Sequence, residues 1–170
     1  MNSIDKNKKI YAIVISYNSA PVLSDLYKRI DKNFFDKIYF FDDCSSDGSA
    51  DVADQFDWIV VRNEKNLGHG GNLKKAIQVA FNDGADYAVE IHGDNQYSPN
   101  EVIKAKKYIL ENYDLIIGSR FQKKNPFFKD KMPFIRYMTN KITSFITAHL
   151  LGIKLTEFHT GCKIYGKNLI

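Results

Sequence analysis

Three residues suited to holding a cation, or the groups around one, alternate in the stretch EIHGDNQYSP at residues 90–99: His92, Asp94 and Gln96. Along an extended chain, alternate side chains point the same way, so these three are expected to face one ligand. A carboxylate and an amide oxygen are donors that a hard cation such as Mg²⁺ accepts. His92 departs from that pattern, because a neutral imidazole favours transition metals.

A second group of acidic and hydroxyl residues lies in the stretch FFDDCSSDGS at residues 40–49. Asp42 and Asp43 follow an apolar run, so their carboxylates are expected to face a ligand beyond the end of a strand. The alternative is that one of the two aspartates only caps the turn. Asp47 and Ser49 have the residue types that cap the short helix expected next.

The elements that must position these residues are strands alternating with helices. Strand patterns occur at residues 9–18, 37–43, 58–66, 86–94 and 114–121, and a sixth is expected within 156–166. Helical patterns occur at residues 21–33, 49–55, 98–113 and 132–151, and a further one starts near Gly71 after a glycine-rich loop. This order predicts a single α/β domain over residues 1–170, with a mostly parallel, Rossmann-like sheet flanked by helices.

Polar residues at the ends of the expected strands mark the ligand edge, because parallel sheets bind ligands beyond their carboxyl ends. Ordinary turn chemistry is the alternative explanation for about half of these residues. The residues are Tyr17, Asn18, Asp42, Asp43, Asn63, Asn66, His92, Asp94, Ser119 and Arg120.

Two common nucleotide motifs are absent from the sequence. The first loop, SYNSAP, has no glycine, so a dinucleotide fingerprint after the first strand is excluded. No Gly-Lys pair is followed by Ser or Thr, which excludes a P-loop. A diphosphate bridged by a divalent cation fits the remaining acidic residues, since the metal neutralises the phosphates and carboxylate oxygens complete its shell.

Six segments in a fixed order resemble the motifs of family 2 glycosyltransferases, which have the GT-A fold. They are VISYN, FFDDCSSDGSADVA, RNEKNLGHGGNLKKAI, HGDNQYSP, GSR and EFHTGCKIY, and they span Ile10 to Gly166. GSRF and the basic, aromatic segment before residues 160–161 resemble the subgroup that transfers hexoses to polyprenyl or dolichyl phosphate.

The resemblance implies a donor site for a UDP- or GDP-sugar. Asp42 and Asp43 would hold the nucleobase, while Tyr17, followed by Asn18, would lie against the base or ribose. The residues implied near the rest of the donor are Asn66, Gly68, Gly70 and Asn72. Asp94 and Gln96 would bind Mg²⁺ or Mn²⁺. His92 replaces the family's aspartate, so it is interpreted as a hydrogen-bond partner of ribose or diphosphate, or as a structural histidine facing a carboxylate.

The resemblance also implies an inverting transfer of a hexose, with Asp94, Arg120, Glu157 and Lys163 as the catalytic group. A hydroxyl acceptor on a glycan needs a general base, for which Glu157 is the candidate. A polyprenyl-phosphate acceptor is already anionic and needs positioning by Arg120, Arg136 or Lys163. Glu157 and Lys163 stand where the family has Asp and Arg.

Charge and composition predict a cytoplasmic chain that contacts the membrane face. The net charge of +4 is too small to indicate nucleic acid but suits an anionic ligand or surface. Residues 121–141 carry six basic residues against one acidic residue, and anionic headgroups attract this composition. The helix that follows either lies on the bilayer or packs in the core. Chains of the resembled type often continue well past the segment EFHTGCKIY, so this chain is either shortened or naturally short.

Two other functions compete with an enzyme of cell-surface glycan or glycoprotein assembly. A sugar nucleotidyltransferase would need a glycine-rich, basic loop after the first strand, which SYNSAP does not provide. A degenerate nucleotide-sugar-binding module is the second alternative, and His92 is its main support.

Overall fold

The computed structural model describes residues 8–96, 99–119, 134–152 and 162–169. These residues form two compact units, each described by itself. The first runs to Ile116 and resumes at Ile164, and the second runs from Ile117 to Lys163. Two of the predicted site residues, Arg120 and Glu157, lie outside the described residues.

A six-stranded sheet organises the chain, in the order β3-β2-β1-β4-β6-β5. Its strands are β1 (Ile10–Ser16), β2 (Lys37–Asp42), β3 (Ile59–Arg62), β4 (Tyr87–His92), β5 (Leu115–Ile117) and β6 (Lys163–Gly166). β1 pairs in parallel with β2 and β4, β2 pairs in parallel with β3, and β6 is antiparallel to β4. The prediction of a mostly parallel α/β sheet is confirmed.

The α-helices are α1 (Ala20–Arg29), α2 (Ser49–Ala53), α3 (Gly68–Asn82), α4 (Lys106–Leu110) and α5 (Phe134–Leu151). Short 3-10 helices cover Lys32–Phe34, Pro99–Ala105 and Lys167–Leu169. Two sequence predictions were wrong in extent. The first helix ends at Arg29 because Ile30 is extended, and the helix expected at residues 98–113 is a 3-10 segment followed by one short α-helix.

The start of α3 also differs from the prediction. A glycine-rich loop was expected to feed a helix from about Gly71, but the helix begins at Gly68 and its glycines form the first turn. Gly68 has φ +71°, a conformation that residues with a Cβ rarely adopt, so glycine is favoured at this position.

The core lies where α3 packs on the central strands. Every residue of β1 is buried, as expected for a parallel strand covered on both faces. Tyr11, Tyr39 and Phe41 of the sheet pack with Ala76 and Ala80 of α3, whose small side chains let the helix approach closely. This packing fixes the start of α3 beside the carboxyl ends of β1 and β2.

Helix α5 belongs to the second unit and carries an exposed apolar stripe. Ile142, Phe145, Ile146 and Leu150 recur at helical spacing and are 50–77% exposed. Among the described residues, no helix has both the length and the apolar character needed to cross a membrane.

Candidate active site

A pocket of about 330 Å³ opens at the polar edge of the sheet, within the first unit. The carboxyl ends of β1, β2 and β4 and the start of α3 supply its walls. It is lined by Ile15, Ser16, Tyr17, Asp43, Asn66, Gly68, His69, Asn72, His92, Gly93 and Asp94. Because β2 and β4 flank β1, residues from widely separated parts of the chain meet here.

Most of the predicted donor-site residues are brought together in this pocket. Seven of them line it: Tyr17, Asp43, Asn66, Gly68, Asn72, His92 and Asp94. Four other predicted residues are close in sequence to these but do not line the pocket: Asn18, Asp42, Gly70 and Gln96. Lys163 is the first residue of β6 and belongs to the second unit.

Asp43 and Asp42 have different surroundings although both are buried. Asp43 Oδ1 accepts hydrogen bonds from Asn63 Nδ2 at 3.0 Å and from the backbone N–H of Leu67 at 2.8 Å. Both bonds use one oxygen, so Oδ2 remains for a donor such as a nucleobase N–H. Asp42 Oδ2 accepts the N–H of Ser45 at 3.0 Å, which holds the turn after β2. Its Oδ1 is buried without a partner among the described residues.

Asn18 and Asp47 hold the loops around Tyr17. Asn18 Oδ1 accepts the N–H of Ser46 at 2.9 Å, and the N–H of Asn18 donates to Ser45 Oγ at 2.9 Å. Asp47 accepts the N–H groups of Ala20 at 2.9 Å and Ser49 at 3.0 Å. Burial opposes the charge of Asp47, but a hydrogen bond from the Ser49 hydroxyl, together with these two backbone N–H groups, outweighs burial and lowers the pKa of its carboxyl. Asp47 therefore accepts hydrogen bonds from the first residues of both α1 and α2.

Asn66 and Asn72 organise the start of α3. Asn66 Oδ1 accepts the N–H of Gly68 at 2.9 Å, an interaction that closes the turn into the helix. Asn72 is fully buried, donates from Nδ2 to the Phe41 carbonyl at 3.0 Å, and accepts from Asn63 Nδ2 at 3.0 Å. The same Asn63 amide nitrogen also donates to Asp43. Asn72 was predicted near the donor, and in the structure it lies in α3 at the pocket, where its side chain fixes Asn63 and through it Asp43.

Asp94 and Gln96 form an exposed turn after β4. Asp94 Oδ1 accepts the N–H of Gln96 at 3.1 Å, and Asn95 between them has φ +57°. The donor set of a carboxylate and an amide oxygen fits a hard divalent cation that keeps several waters. His92 does not join this set in the structure, because its Nε2 lies 3.1 Å from Glu90 Oε1.

Two residues near His92, Glu90 and His69, were missed by the sequence predictions. Glu90 is 2% exposed, and its Oε1 lies 3.4 Å from His69 Nε2. Its other oxygen accepts a hydrogen bond from Tyr165 Oη at 2.9 Å. Burial and the Glu90 charge raise the pKa of Tyr165 well above its usual value. The available signal was a charged residue inside the apolar strand YAVEIH, on the same face as His92.

Comparison with known proteins defines the class. The family model described as glycosyl transferase family 2 matches residues 11–170. The chain belongs to this family, which is a family of enzymes. A UDP-N-acetylglucosamine–dolichyl-phosphate N-acetylglucosaminyltransferase of Methanococcus voltae is 26% identical over 96% of this chain and 72% of its own length. An uncharacterized protein of Methanocaldococcus jannaschii is 30% identical over 97% of this chain and 67% of its own length.

Solved structures agree on the GT-A fold. Mannosyl-3-phosphoglycerate synthase from Rubrobacter xylanophilus has a TM-score of 0.72 at 18% identity over 97% of this chain. Glucosyl-3-phosphoglycerate synthase from Mycobacterium tuberculosis, in complex with Mn²⁺ and UDP-glucose, has a TM-score of 0.72 at 15% identity over 96% of this chain. The chain spans 55% and 58% of these two structures, respectively.

Proposed function

We propose that the protein is an inverting hexosyltransferase that uses a nucleoside-diphosphate sugar and a polyprenyl-phosphate acceptor. One observation carries the proposal: Asp43 at the end of β2 and Asp94 just after β4 line one pocket. A nucleobase at Asp43 and a diphosphate at Asp94 would be two parts of such a donor, and the sugar would extend beyond the diphosphate. The relatives support it, since one from Methanococcus voltae is named for transfer from a UDP-sugar to dolichyl phosphate.

Asp94 and Gln96 would hold the divalent cation, either Mg²⁺ or Mn²⁺. When bound, the cation neutralises charge on the diphosphate leaving group. Tyr17, 55% exposed at the pocket wall, would lie against the base or ribose. His92 would keep its imidazole in place through Glu90 while meeting the ribose or diphosphate from the pocket side.

The transfer exchanges one bond at the anomeric carbon of the sugar. An oxygen of the acceptor phosphate forms the new bond to this carbon, and the bond to the diphosphate oxygen breaks. The nucleoside diphosphate leaves with the electron pair, and attack in line with it inverts the configuration. An anionic phosphate needs no general base, so the proposed roles of Arg120 and Lys163 are to position it, and Glu157 would be required only for a hydroxyl acceptor.

A membrane-facing site is part of the proposal, because a polyprenyl phosphate resides in the bilayer. The basic residues of the 121–141 segment suit anionic headgroups. The exposed stripe of α5 offers apolar side chains for the same interface. We propose a cytoplasmic enzyme bound peripherally at the membrane face.

The decisive test is transfer by the purified chain from a panel of UDP- and GDP-sugars to a polyprenyl phosphate, with Mg²⁺ or Mn²⁺. We expect transfer with one donor class, with loss of about 100-fold or more in Asp94→Asn, since charge stabilisation in transfer sites is worth about that much. Asp114→Asn, a change at an exposed aspartate away from the pocket lining, is the matched control and should keep full activity.

Two outcomes would contradict this function. If the chain transfers sugar to a soluble glycan hydroxyl but not to polyprenyl phosphate, the acceptor is a glycan. Glu157 would then be assigned the role of general base. Nucleotide binding without turnover under either metal, with either acceptor, would favour a binding module that has lost its chemistry.

A further inference from the structure

His69, Glu90 and His92 converge at the pocket, and the function proposed above uses only the contact between Glu90 and His92. Glu90 Oε1 lies 3.1 Å from His92 Nε2 and 3.4 Å from His69 Nε2. The three ligand atoms all lie within 4.8 Å of one another. Glu90 and His92 share one face of β4, whereas His69 comes from the first turn of α3.

The two distances from Glu90 Oε1 to the imidazole nitrogens are close to the edge length of a tetrahedral metal site. Zn²⁺ binds imidazole nitrogen and carboxylate oxygen at about 2.0–2.2 Å, and tetrahedral angles then separate the ligand atoms by roughly 3.3–3.5 Å. The two distances from Glu90 Oε1, 3.1 and 3.4 Å, are close to this separation. Two histidines and one glutamate are also a known ligand set of zinc sites that keep one position open.

The surroundings of Glu90 favour a cation at this position. The Glu90 side chain has no exposed surface, while those of His92 and His69 are 24% and 55% exposed. A cation bound by Glu90 would offset part of the cost of burying its carboxylate. Tyr165 Oη donates to Glu90 Oε2 at 2.9 Å, while Oε1 faces the two imidazoles. A hydrogen bond of this kind to a ligating carboxylate is the usual support of a metal ligand.

We propose that His69, Glu90 and His92 form a binding site for a divalent transition metal of the Zn²⁺ type, separate from the hard-cation position at Asp94 and Gln96. Imidazole nitrogens select Zn²⁺ over Mg²⁺, so the two positions differ in the metal they prefer. His69 and His92 line the pocket, so the fourth coordination position opens towards it and takes a water. The site is defined without a sugar donor and does not depend on the transfer reaction.

Metal binding by the full chain tests the proposal without any assay of activity. The chelator-treated protein is titrated with Co²⁺ and followed by visible absorption, and Zn²⁺ is then used to displace the Co²⁺. We expect one equivalent of Co²⁺ with the intense bands of four-coordinate geometry, removed by one equivalent of Zn²⁺. Excess Mg²⁺ should leave the spectrum unchanged.

Four variants locate the site. His69→Ala should abolish the Co²⁺ bands, and it should not affect folding because its side chain is mostly exposed. Tyr165→Phe should weaken Zn²⁺ binding by about 10- to 100-fold, as for other residues that support a ligand. His149→Ala, which removes an exposed histidine of α5, is the matched control and should bind like the wild type. Asp94→Asn should also retain the site.

The proposal is overturned if Co²⁺ and Zn²⁺ do not bind, which would leave the two imidazoles as proton-carrying partners of Glu90. It is equally overturned if His69→Ala binds normally while Asp94→Asn does not, since the ion would then lie at the turn after β4. Failure of sugar transfer with intact metal binding would sink only the function proposed above.

Discussion

Tyr17 leaves more than half of its surface exposed and also forms part of the pocket wall. If its ring lies against the nucleobase, Tyr17→Ala should weaken UDP or GDP binding by about 1–2 kcal/mol, the lower part of the range for base–aromatic stacking. This corresponds to roughly 5- to 30-fold in Kd, measured by calorimetry. Tyr17→Phe keeps the ring and should bind nearly as the wild type.

The matched control for Tyr17 is Tyr113→Ala, because Tyr113 is 52% exposed and lies away from the pocket lining. Neither alanine variant should lower the unfolding temperature much, since surface substitutions of this kind usually change stability by less than about 0.5 kcal/mol. Equal nucleotide affinity in Tyr17→Ala and the wild type would remove Tyr17 from the donor site.

At the scale of elements, the pocket depends on the close approach of β4 to β1. A Cβ on Gly93, just after β4, would lie 2.9 Å from Ser16 Cβ and 3.1 Å from the Ile15 carbonyl oxygen. Gly93→Ala should therefore destabilise the fold by about 1–3 kcal/mol, the usual cost of overpacking. Urea unfolding measures this difference.

Gly70→Ala is the contrasting substitution for Gly93. A Cβ at Gly70 meets no heavy atom within 4 Å, and the position lies in α3. Alanine favours a helix over glycine by up to about 1 kcal/mol, so this variant should be as stable as the wild type or more stable. Similar losses of stability in both variants would show that the approach of the strands is not what restricts residue 93.

The end of α3 is joined to β2 by Asp83, which accepts hydrogen bonds from Lys37 Nζ and Tyr39 Oη, both at 2.6 Å. The Lys37 hydrogen bond first, and then that of Tyr39, lowers the pKa of the Asp83 carboxyl below 3.8. The charged form is thus favoured by folding. The charged carboxylate therefore stabilises the fold fully at pH values above the pKa that Asp83 has in the unfolded chain. This stabilisation is lost as the pH falls through the lower pKa that Asp83 has in the folded protein.

We therefore expect Asp83→Asn to be less stable than the wild type at pH 7, with the difference closing as the pH falls below about 3.8. Urea unfolding across this pH range measures the difference. Asp25→Asn is the control, because this aspartate has only a weak, exposed ion pair: its Oδ1 lies 3.7 Å from Lys28 Nζ, and its side chain is 72% exposed. A constant difference between Asp83→Asn and the wild type down to pH 2 would contradict the assignment.

The sequence predicts correctly those elements whose apolar pattern is compatible with only one type of secondary structure. β1 is apolar throughout because both of its faces are covered, so its pattern is unambiguous. The segment at 98–113 was predicted as one helix, yet Val102 and Ile109 are buried while Ile103 and Leu110 are 38% and 42% exposed. An apolar spacing alone does not distinguish a 3-10 segment and a short helix from one continuous helix.

The residues of the candidate site that belong to a sequence motif could be predicted. Those that meet only because two elements pack together could not. Asp43, Asp94 and Tyr17 follow strands, and parallel strands bring their carboxyl ends together. His69 and Glu90 meet because α3 packs beside β4, and no local pattern reports that a helix residue and a strand residue 21 positions apart in the sequence will touch.

At the scale of the whole molecule, charge and the α5 stripe predict binding to anionic membranes. The chain should be retained by vesicles containing anionic lipid at low salt and released as the Debye length falls from about 30 Å at 0.01 M to about 8 Å at 0.15 M. Vesicles of neutral lipid should retain less of it. Co-sedimentation measures the bound fraction.

The stripe contributes separately from charge, so Phe145→Ser, at a position 73% exposed, should reduce vesicle binding without unfolding the chain. Leu169→Ser is the control, because Leu169 is 47% exposed and belongs to the first unit. If anionic vesicles at low salt do not retain the wild type, peripheral contact with the membrane is wrong.

The position of β6 between β4 and β5 has a consequence for synthesis on the ribosome. Glu90 is made 75 residues before Tyr165, so at about 5–20 residues per second its hydrogen-bond partner follows after roughly 4–15 s. Until then β4 presents an open edge, to which another nascent copy can add a strand. Strands β3, β2, β1 and β4 can pair early, but the Glu90 carboxylate gains its hydrogen bond from Tyr165 only when β6 has been made.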